Sequence, residues 1–481
     1  MITFLFGIFI LVLGYIFYSR YVEKQISITD NETPAVRIND GVDYIPISEK
    51  KNMLIHLLNI AGLGPLLGAI QGILFGPIAF IIIPLGCVLM GGVHDYFSGM
   101  LSVRNNGAQI TELIKLYLGK IPYKIFIIIV SVLLLLLTSV FVYTSGDLIA
   151  NRFFGLTEYG LDNPILICIY VCITLYFIAA TLFPIDKIIG RFYPIFGLLL
   201  LIGTGLIFIG FFTNGISVQN IDFSHINCHP NKLHIIPMFF ITVSCGLLSG
   251  FHSTQSTIIS RTITSEKHGK KVFYGMMCVE SLITMIWAAG AMHVYSHNLV
   301  PQNMIGTVNV LNIISDTFVF PLLVCIVTIA IVVLPITSGG TAFRGLRMII
   351  AEALNLNQVS MWNRLKIVIP ASFLIVGILI WAKTSSDGFF MIWRYFNFVN
   401  QLIAIPTFMY ASVYLYKAGK NFLITLIPGL FYVFITSFFI LNADIGFGIT
   451  YNLSRILAII TVAVSLILVY KTFKEDNKIS R

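Results

Sequence analysis

Apolar runs about 20 residues long recur along this chain, separated by short polar stretches. A helix crossing a bilayer needs about 20 such residues. That length predicts thirteen membrane spans, near 3–19, 53–75, 77–101, 122–145, 164–184, 191–213, 233–256, 273–295, 318–338, 367–383, 389–416, 421–440 and 453–471. The pattern reads as an all-α, polytopic membrane helix bundle. Two of the runs are interrupted in matching ways, by Ile60-Ala61-Gly62-Leu63-Gly64-Pro65 and by Cys245-Gly246-Leu247-Leu248-Ser249-Gly250. Pro removes a backbone donor and Gly weakens a helix, so each break frees backbone groups at membrane depth. Freed groups survive there only where protein, water or a bound solute satisfies them. Paired broken helices in two halves of a chain are the best sequence pointer to a transporter's binding site.

Charge fixes the order of the spans. Segments 20–52, 102–124, 185–191, 257–272, 339–366, 417–420 and the C-terminal tail fall on one side and hold 25 of the 30 Lys and Arg residues. The basic side is cytoplasmic by the positive-inside rule, which puts the N-terminus outside and the C-terminus inside. The second and seventh spans then run in opposite directions. Five spans (53–213) and five more (233–416) form an inverted repeat, each half opening on a broken helix. Residues 1–52 add a first span and a cytoplasmic loop, and 421–481 add two accessory spans and a tail.

Composition agrees. Hydrophobic residues make up 57% of the 481 and charged residues 11%, with a mean hydropathy of +0.91. A soluble domain carries about 25% charged residues, so lipid is the solvent for much of this surface. The net charge of +9 comes from loop residues that set topology and does not point to nucleic acid. The chain contains no nucleophile elbow, Walker loop, HExxH or CxxC pair, which leaves enzyme chemistry, cofactors and metal sites without support.

Ionisable and polar residues inside spans are costly and mark function by default. His56 and Asn59 precede the first break, and Gln71 follows it. His94 and Asp95 are adjacent in the third span. They read either as an end pair anchored to Arg104 or as a proton relay. The run Phe251-His252-Ser253-Thr254-Gln255 follows the second break. Its half-helix N-terminus would offer free N–H groups to a carboxylate. Glu280 reads either as a partner of Arg261 or Lys271 or as a coupling carboxyl. Thr337 and Ser338, ahead of Gly339-Gly340, either cap a bend or ligate Na⁺. Trp393-Arg394 with Asn397, Asn400 and Gln401 reads as an interfacial anchor with helix packing. The predicted substrate site is therefore Gly62, Leu63, Gly64, Pro65, His252, Ser253 and Gln255. The predicted ion-coupling set is His56, His94, Asp95, Glu280, Thr337 and Ser338, with H⁺ or Na⁺ as the ion.

Several ordered stretches resemble the carbon-starvation protein A family of bacterial membrane transporters. They are Asp40-Gly41-Val42-Asp43-Tyr44-Ile45-Pro46, Ile60–Pro65, Val93-His94-Asp95, Arg104-Asn105-Asn106-Gly107-Ala108, Pro184-Ile185-Asp186-Lys187-Ile188-Ile189-Gly190-Arg191, Ser249-Gly250-Phe251-His252, Glu266–Gly275, Leu334–Gly339 and Trp393-Arg394-Tyr395-Phe396. The resemblance implies an inner-membrane protein linked to nutrient limitation, taking up peptides or pyruvate on an ion gradient, built on five-plus-five inverted repeats. Two departures stand out. Ile55 replaces the first of the two histidines many relatives carry before the first break, and Gly340 replaces an acidic residue. We therefore expect a secondary active transporter of small carboxylate nutrients, peptide or pyruvate. The rival is a membrane-embedded sensor that binds the same nutrient without moving it. The sequence leaves the oligomeric state open.

Overall fold

The computed structural model describes residues 1–479 apart from 157–159, 186, 188, 302–304, 306–308 and 386–387. Asp186 and Ile188 of the family stretch lie outside the described residues. In chain order the principal helices are α1 (Ile2–Glu23), α2 (Glu49–Ile60), α3 (Leu63–Phe75), α4 (Ala79–Arg104), α5 (Ile110–Leu118), α6 (Lys120–Phe154), α7 (Pro164–Leu182) and α8 (Ile189–Thr213). They continue with α9 (235–242), α10 (Phe251–Ile259), α11 (Glu266–Ser296), α12 (Asn309–Phe318), α13 (Pro321–Ala353), α14 (Met361–Thr384), α15 (Gly388–Lys417), α16 (Leu423–Asn442) and α17 (Tyr451–Ile479).

Among the described residues, eleven helices are long and apolar enough to span a membrane, or twelve with the bent pair α2–α3 counted as one. Segment 233–256, expected as the seventh span with a Gly-rich break, is two short helices, α9 and α10, joined by the non-helical stretch 243–250. Its Gly-rich middle does not sustain a helix, so neither half reaches spanning length. The loops 102–124 and 296–318 also contain helices the apolar ruler passed over, α5 and α12.

The two ends of the bundle are unlike. At one end the loop before α2 meets the turns after α4 and α10 and the end of α13. Ile47 bridges Ile263, Arg104 Nη2 lies 2.9 Å from Glu266, Lys270 lies 2.7 Å from Glu23, and Arg261 pairs with Glu352. The deepest of these contacts is Asp43, reached by Arg347 at 2.8 Å and Arg344 at 2.7 Å, with both guanidinium groups fully buried. The carboxylate of Asp40 collects the N–H groups of Val42, Asp43 and Tyr44 within 3.0 Å and so fixes the turn that presents Asp43. Burial alone would raise the Asp43 carboxyl. Arg347, Arg344 and Arg261 outweigh it and hold the group well below the usual carboxylate range. At the other end the N-terminal ammonium bonds Val218 O at 2.7 Å and Thr3 Oγ1 accepts from Ile221 N–H, tying α1 to loop 214–234. Each loop group of like predicted sidedness thus gathers at a common end. Outward faces of α1, α14 and α17 expose large apolar residues such as Phe6, Phe373 and Ile459, as lipid contact requires.

Candidate functional site

The first break is sharp. α2 and α3 meet at 51°. Ala61 leaves the helical region (φ −76, ψ 61) and Gly62 is extended (φ −76, ψ −161). No side chain caps α3, and Pro65 has no N–H to strand, so the amides of Leu63 and Gly64 form its open positive end. Ser338 Oγ donates to Leu58 O at 3.1 Å, from α13 onto the last turn of α2. Thr337 instead bonds back to Val333 O and Leu334 O of its own helix, at 2.9 and 3.0 Å. α13 continues helically through Gly339 and Gly340, which corrects the expectation that it unwinds there. The pair does not act together: Ser338 faces the break and Thr337 does not.

The second break lies against the first. A Cβ on Gly64 would come 2.7 Å from Cys245 Sγ, and one on Gly68 would come 2.7 Å from Thr242 O. Gly246 takes φ +79, and a Cβ there would also strike Thr284 Oγ1 at 2.4 Å, so only glycine fits. The expectation of free N–H groups at the start of α10 is not met. Phe251 N–H donates to Asn400 Oδ1 at 2.7 Å, and the N–H groups of His252 and Ser253 reach Ser249 O and Gly250 O at 3.2 Å. Asn400 Oδ1 also accepts from Ser249 Oγ at 3.1 Å, and Gln401 Nε2 donates to Ser244 O and Leu248 O, each at 3.1 Å. Asn397 Oδ1 accepts from Ser244 Oγ at 2.7 Å. Asn400 and Gln401 replace water for an irregular backbone at depth, and Asn397 holds a side chain of the same stretch. Reading them as packing missed that role. Their spacing, which puts 397, 400 and 401 on one helix face, was the available signal. Trp393 likewise is buried at 3% exposure, not interfacial.

Beside the breaks lies a chain of ionisable groups with no exposure. His94 Nδ1 sits 3.0 Å from Asp95 Oδ1, His252 Nδ1 3.0 Å from Asp95 Oδ2, and His252 Nε2 3.5 Å from Glu280 Oε1. The last is a charge contact, too long and misaligned for a good hydrogen bond. Both Glu280 oxygens and His252 Nε2 otherwise have no hydrogen-bond partner. Three expectations change here. His94 and Asp95, although adjacent, bond each other directly, and Arg104 goes to Glu266 and Tyr414 instead. Glu280 meets neither Arg261 nor Lys271, which pair with Glu352 and Glu49. His252, placed with the substrate residues, joins the ionisable group. His56 stands edge-on to Phe273 at 5.4 Å, and its two ring nitrogens have no partner.

Ser253 Oγ bonds Gly250 O in its own turn at 2.6 Å. Gln255 Nε2 reaches Thr254 Oγ1 at 3.0 Å, while Gln255 Oε1, both amide atoms of Asn59 and Ser256 Oγ are buried without partners. The arrangement groups Asp95, His252 and Glu280 out of water, and several polar atoms of α2 and α10 stay unpaired. It contains no activated nucleophile.

The family profile for carbon starvation protein CstA matches residues 1–169 and 165–317. A membrane protein of Haemophilus influenzae is 37% identical over 351 residues, covering 64% of this chain and 94% of that protein. The peptide transporter CstA of Helicobacter pylori strain J99 is 25% identical, over 58% of this chain and 50% of its own length. The pyruvate/proton symporter BtsT of Escherichia coli K12 is 27% identical, over 57% and 46%. The chain thus spans about half the length of these named transporters. Among solved structures, MhsT in complex with L-phenylalanine superposes with a TM-score of 0.60 at 14% identity, covering 88% of this chain and 99% of that one. The likeness establishes a shared membrane fold.

Proposed function

Since the chain belongs to the carbon starvation protein CstA family, we propose that it is a secondary active transporter importing small carboxylate nutrients, peptides or pyruvate, across a bacterial plasma membrane. The observation that carries this reading is the meeting of fully buried Asp95, His252 and Glu280 beside two adjoining helix breaks. With both carboxylates ionised and His252 protonated, the group would hold net negative charge away from water, at a cost of several kcal/mol. One further proton removes that charge, so proton occupancy and the state of the breaks are coupled.

The substrate carboxylate sits at the start of α3, on the amides of Leu63 and Gly64, with Gln255 Oε1, Asn59 and His56 offering the remaining polar contacts. Alternating access follows from moving segment 53–213 against 233–416, read as inverted repeats, with the arginine-rich end in the cytoplasm and expression raised on carbon starvation. A second reading has one observation in its favour: Ser338 Oγ against the Leu58 carbonyl puts two hard oxygens at the first break, which suits Na⁺.

The test is uptake of labelled dialanine and pyruvate into proteoliposomes, with H⁺ and Na⁺ gradients imposed separately. Uptake driven by the pH gradient in Na⁺-free buffer is expected. A response to Na⁺ alone would replace the proton reading with the Ser338 site. Binding without uptake under either gradient would make the protein a nutrient sensor.

A further inference from the structure

At the end of the bundle that holds the N-terminus, a cavity of about 1070 Å³ descends between α3, α9, α15 and α16. Its walls include Trp393, Phe439 and Met238, and its lining reaches Thr242 and Asn397. Asn397 holds Ser244 of the second break, so the cavity ends on the candidate site. It is distinct from the Asp95–His252–Glu280 group, none of which lines it. Two opposite charges do line it, Arg394 and Asp444. Among the described residues neither forms an ion pair, with each other or with a third group. Arg394 stands one turn above the buried Asn397 on α15, and Asp444 follows the end of α16.

A cation and an anion held apart in one cleft with aromatic walls have electrostatic consequences. Such clefts focus the field of their charges more than open surface does. A monoanion meets attraction from Arg394 and repulsion from Asp444. A solute with a carboxylate at one end and an ammonium at the other meets attraction from both. The volume exceeds the needs of a three-carbon acid and lies at the upper end of ordinary ligand pockets. We infer that this vestibule is a recognition site for zwitterionic solutes, short peptides or amino acids, with Arg394 taking the carboxylate and Asp444 the ammonium. The inference rests on the transport reading and narrows its substrate class to zwitterions over pyruvate.

Full-length protein in nanodiscs, titrated calorimetrically with dialanine, N-acetyl-dialanine, dialanine amide and pyruvate, tests this. Dialanine should bind wild type about tenfold more tightly than either blocked peptide or pyruvate, the loss expected for one charge-assisted contact. Asp444→Asn should weaken dialanine about tenfold but not N-acetyl-dialanine, which has no ammonium to lose and is relieved of a repulsion. Arg394→Gln should weaken dialanine equally but not the amide, which has no carboxylate to lose and is relieved of a repulsion. Asp444→Glu and Arg394→Lys should recover part of each loss, which separates contact from misfolding. Equal affinity for pyruvate and dialanine, no binding to wild type, or a blocked peptide weakened by both variants would overturn the assignment. Uptake in proteoliposomes separates the two readings. Terminus-specific binding without gradient-driven uptake keeps the vestibule and defeats transport. Driven uptake whose KM ignores both variants keeps transport and defeats the vestibule.

Discussion

His252 touches two carboxylates from different helices, Asp95 at 3.0 Å and Glu280 at 3.5 Å. Its imidazole is the only bridge shown between them, and Glu280 has no other side-chain partner among the described residues. Glu280→Gln keeps the shape and removes the exchangeable proton. It should reduce pH-gradient-driven uptake at least tenfold, while substrate exchange at equal pH on both sides persists, because exchange needs no net proton movement. Loss of exchange and driven uptake together would place Glu280 in binding rather than coupling. At this scale the sequence marks which residues are costly to bury: His94, Asp95, His252 and Glu280 are ionisable groups within apolar runs. It was a poor guide to who meets whom. The His252–Asp95 contact spans 157 positions, and only the packing of α10 on α4 creates it. Adjacent helix positions do not face each other, yet the side chains of His94 and Asp95 bond at 3.0 Å.

The elements explain why two breaks persist in a low-dielectric interior. Both were legible from Gly and Pro within apolar runs. Their partners were not, because Asn400 lies 149 residues from the amide it accepts. The first break leaves an open helix start; the second is closed by α15. Asn400→Ala strands the Phe251 N–H and the Ser249 hydroxyl, and a buried unpaired donor costs about 1–3 kcal/mol. The variant should unfold at lower temperature in detergent, and Asn397→Ala should lose less, because it strands only one hydroxyl. Unchanged melting for Asn400→Ala would mean that water or a shifted backbone replaces the amide. The eleven or twelve helices of spanning length fall short of thirteen spans because 233–256 is divided, as its glycines predict, into two short helices.

Across the whole molecule, a cavity opens at one end while ion pairs close the other. Charge counting anticipated that the basic loops share a side, but gave no reason for Asp43 to be their centre. Its partners Arg344 and Arg347 sit inside α13, beyond the point where the helix was expected to end. Arg347 grips both Asp43 oxygens at 2.8 Å, and Arg344 adds a third contact at 2.7 Å. On the proposed transport reading this end must open, and the cluster would set how readily it does. Asp43→Asn leaves two buried guanidinium groups uncompensated, a loss of about 3–5 kcal/mol when one partner of a buried pair is removed. The closed form should lose population, and a cysteine placed at the buried Ala180, whose carbonyl Arg344 holds, should label faster than in the wild-type background. Acid should not mimic the variant. The folded-state value of this carboxyl is depressed. Its contribution is therefore complete above the unfolded value of about 3.9 and fades only as pH falls through the lower folded value. Labelling of the wild-type background, scaled to that of a free thiol at each pH to remove the change in thiolate fraction, should be the same at pH 7 and pH 5. Faster labelling at pH 5 would mean that another titrating group, not Asp43, holds this end shut.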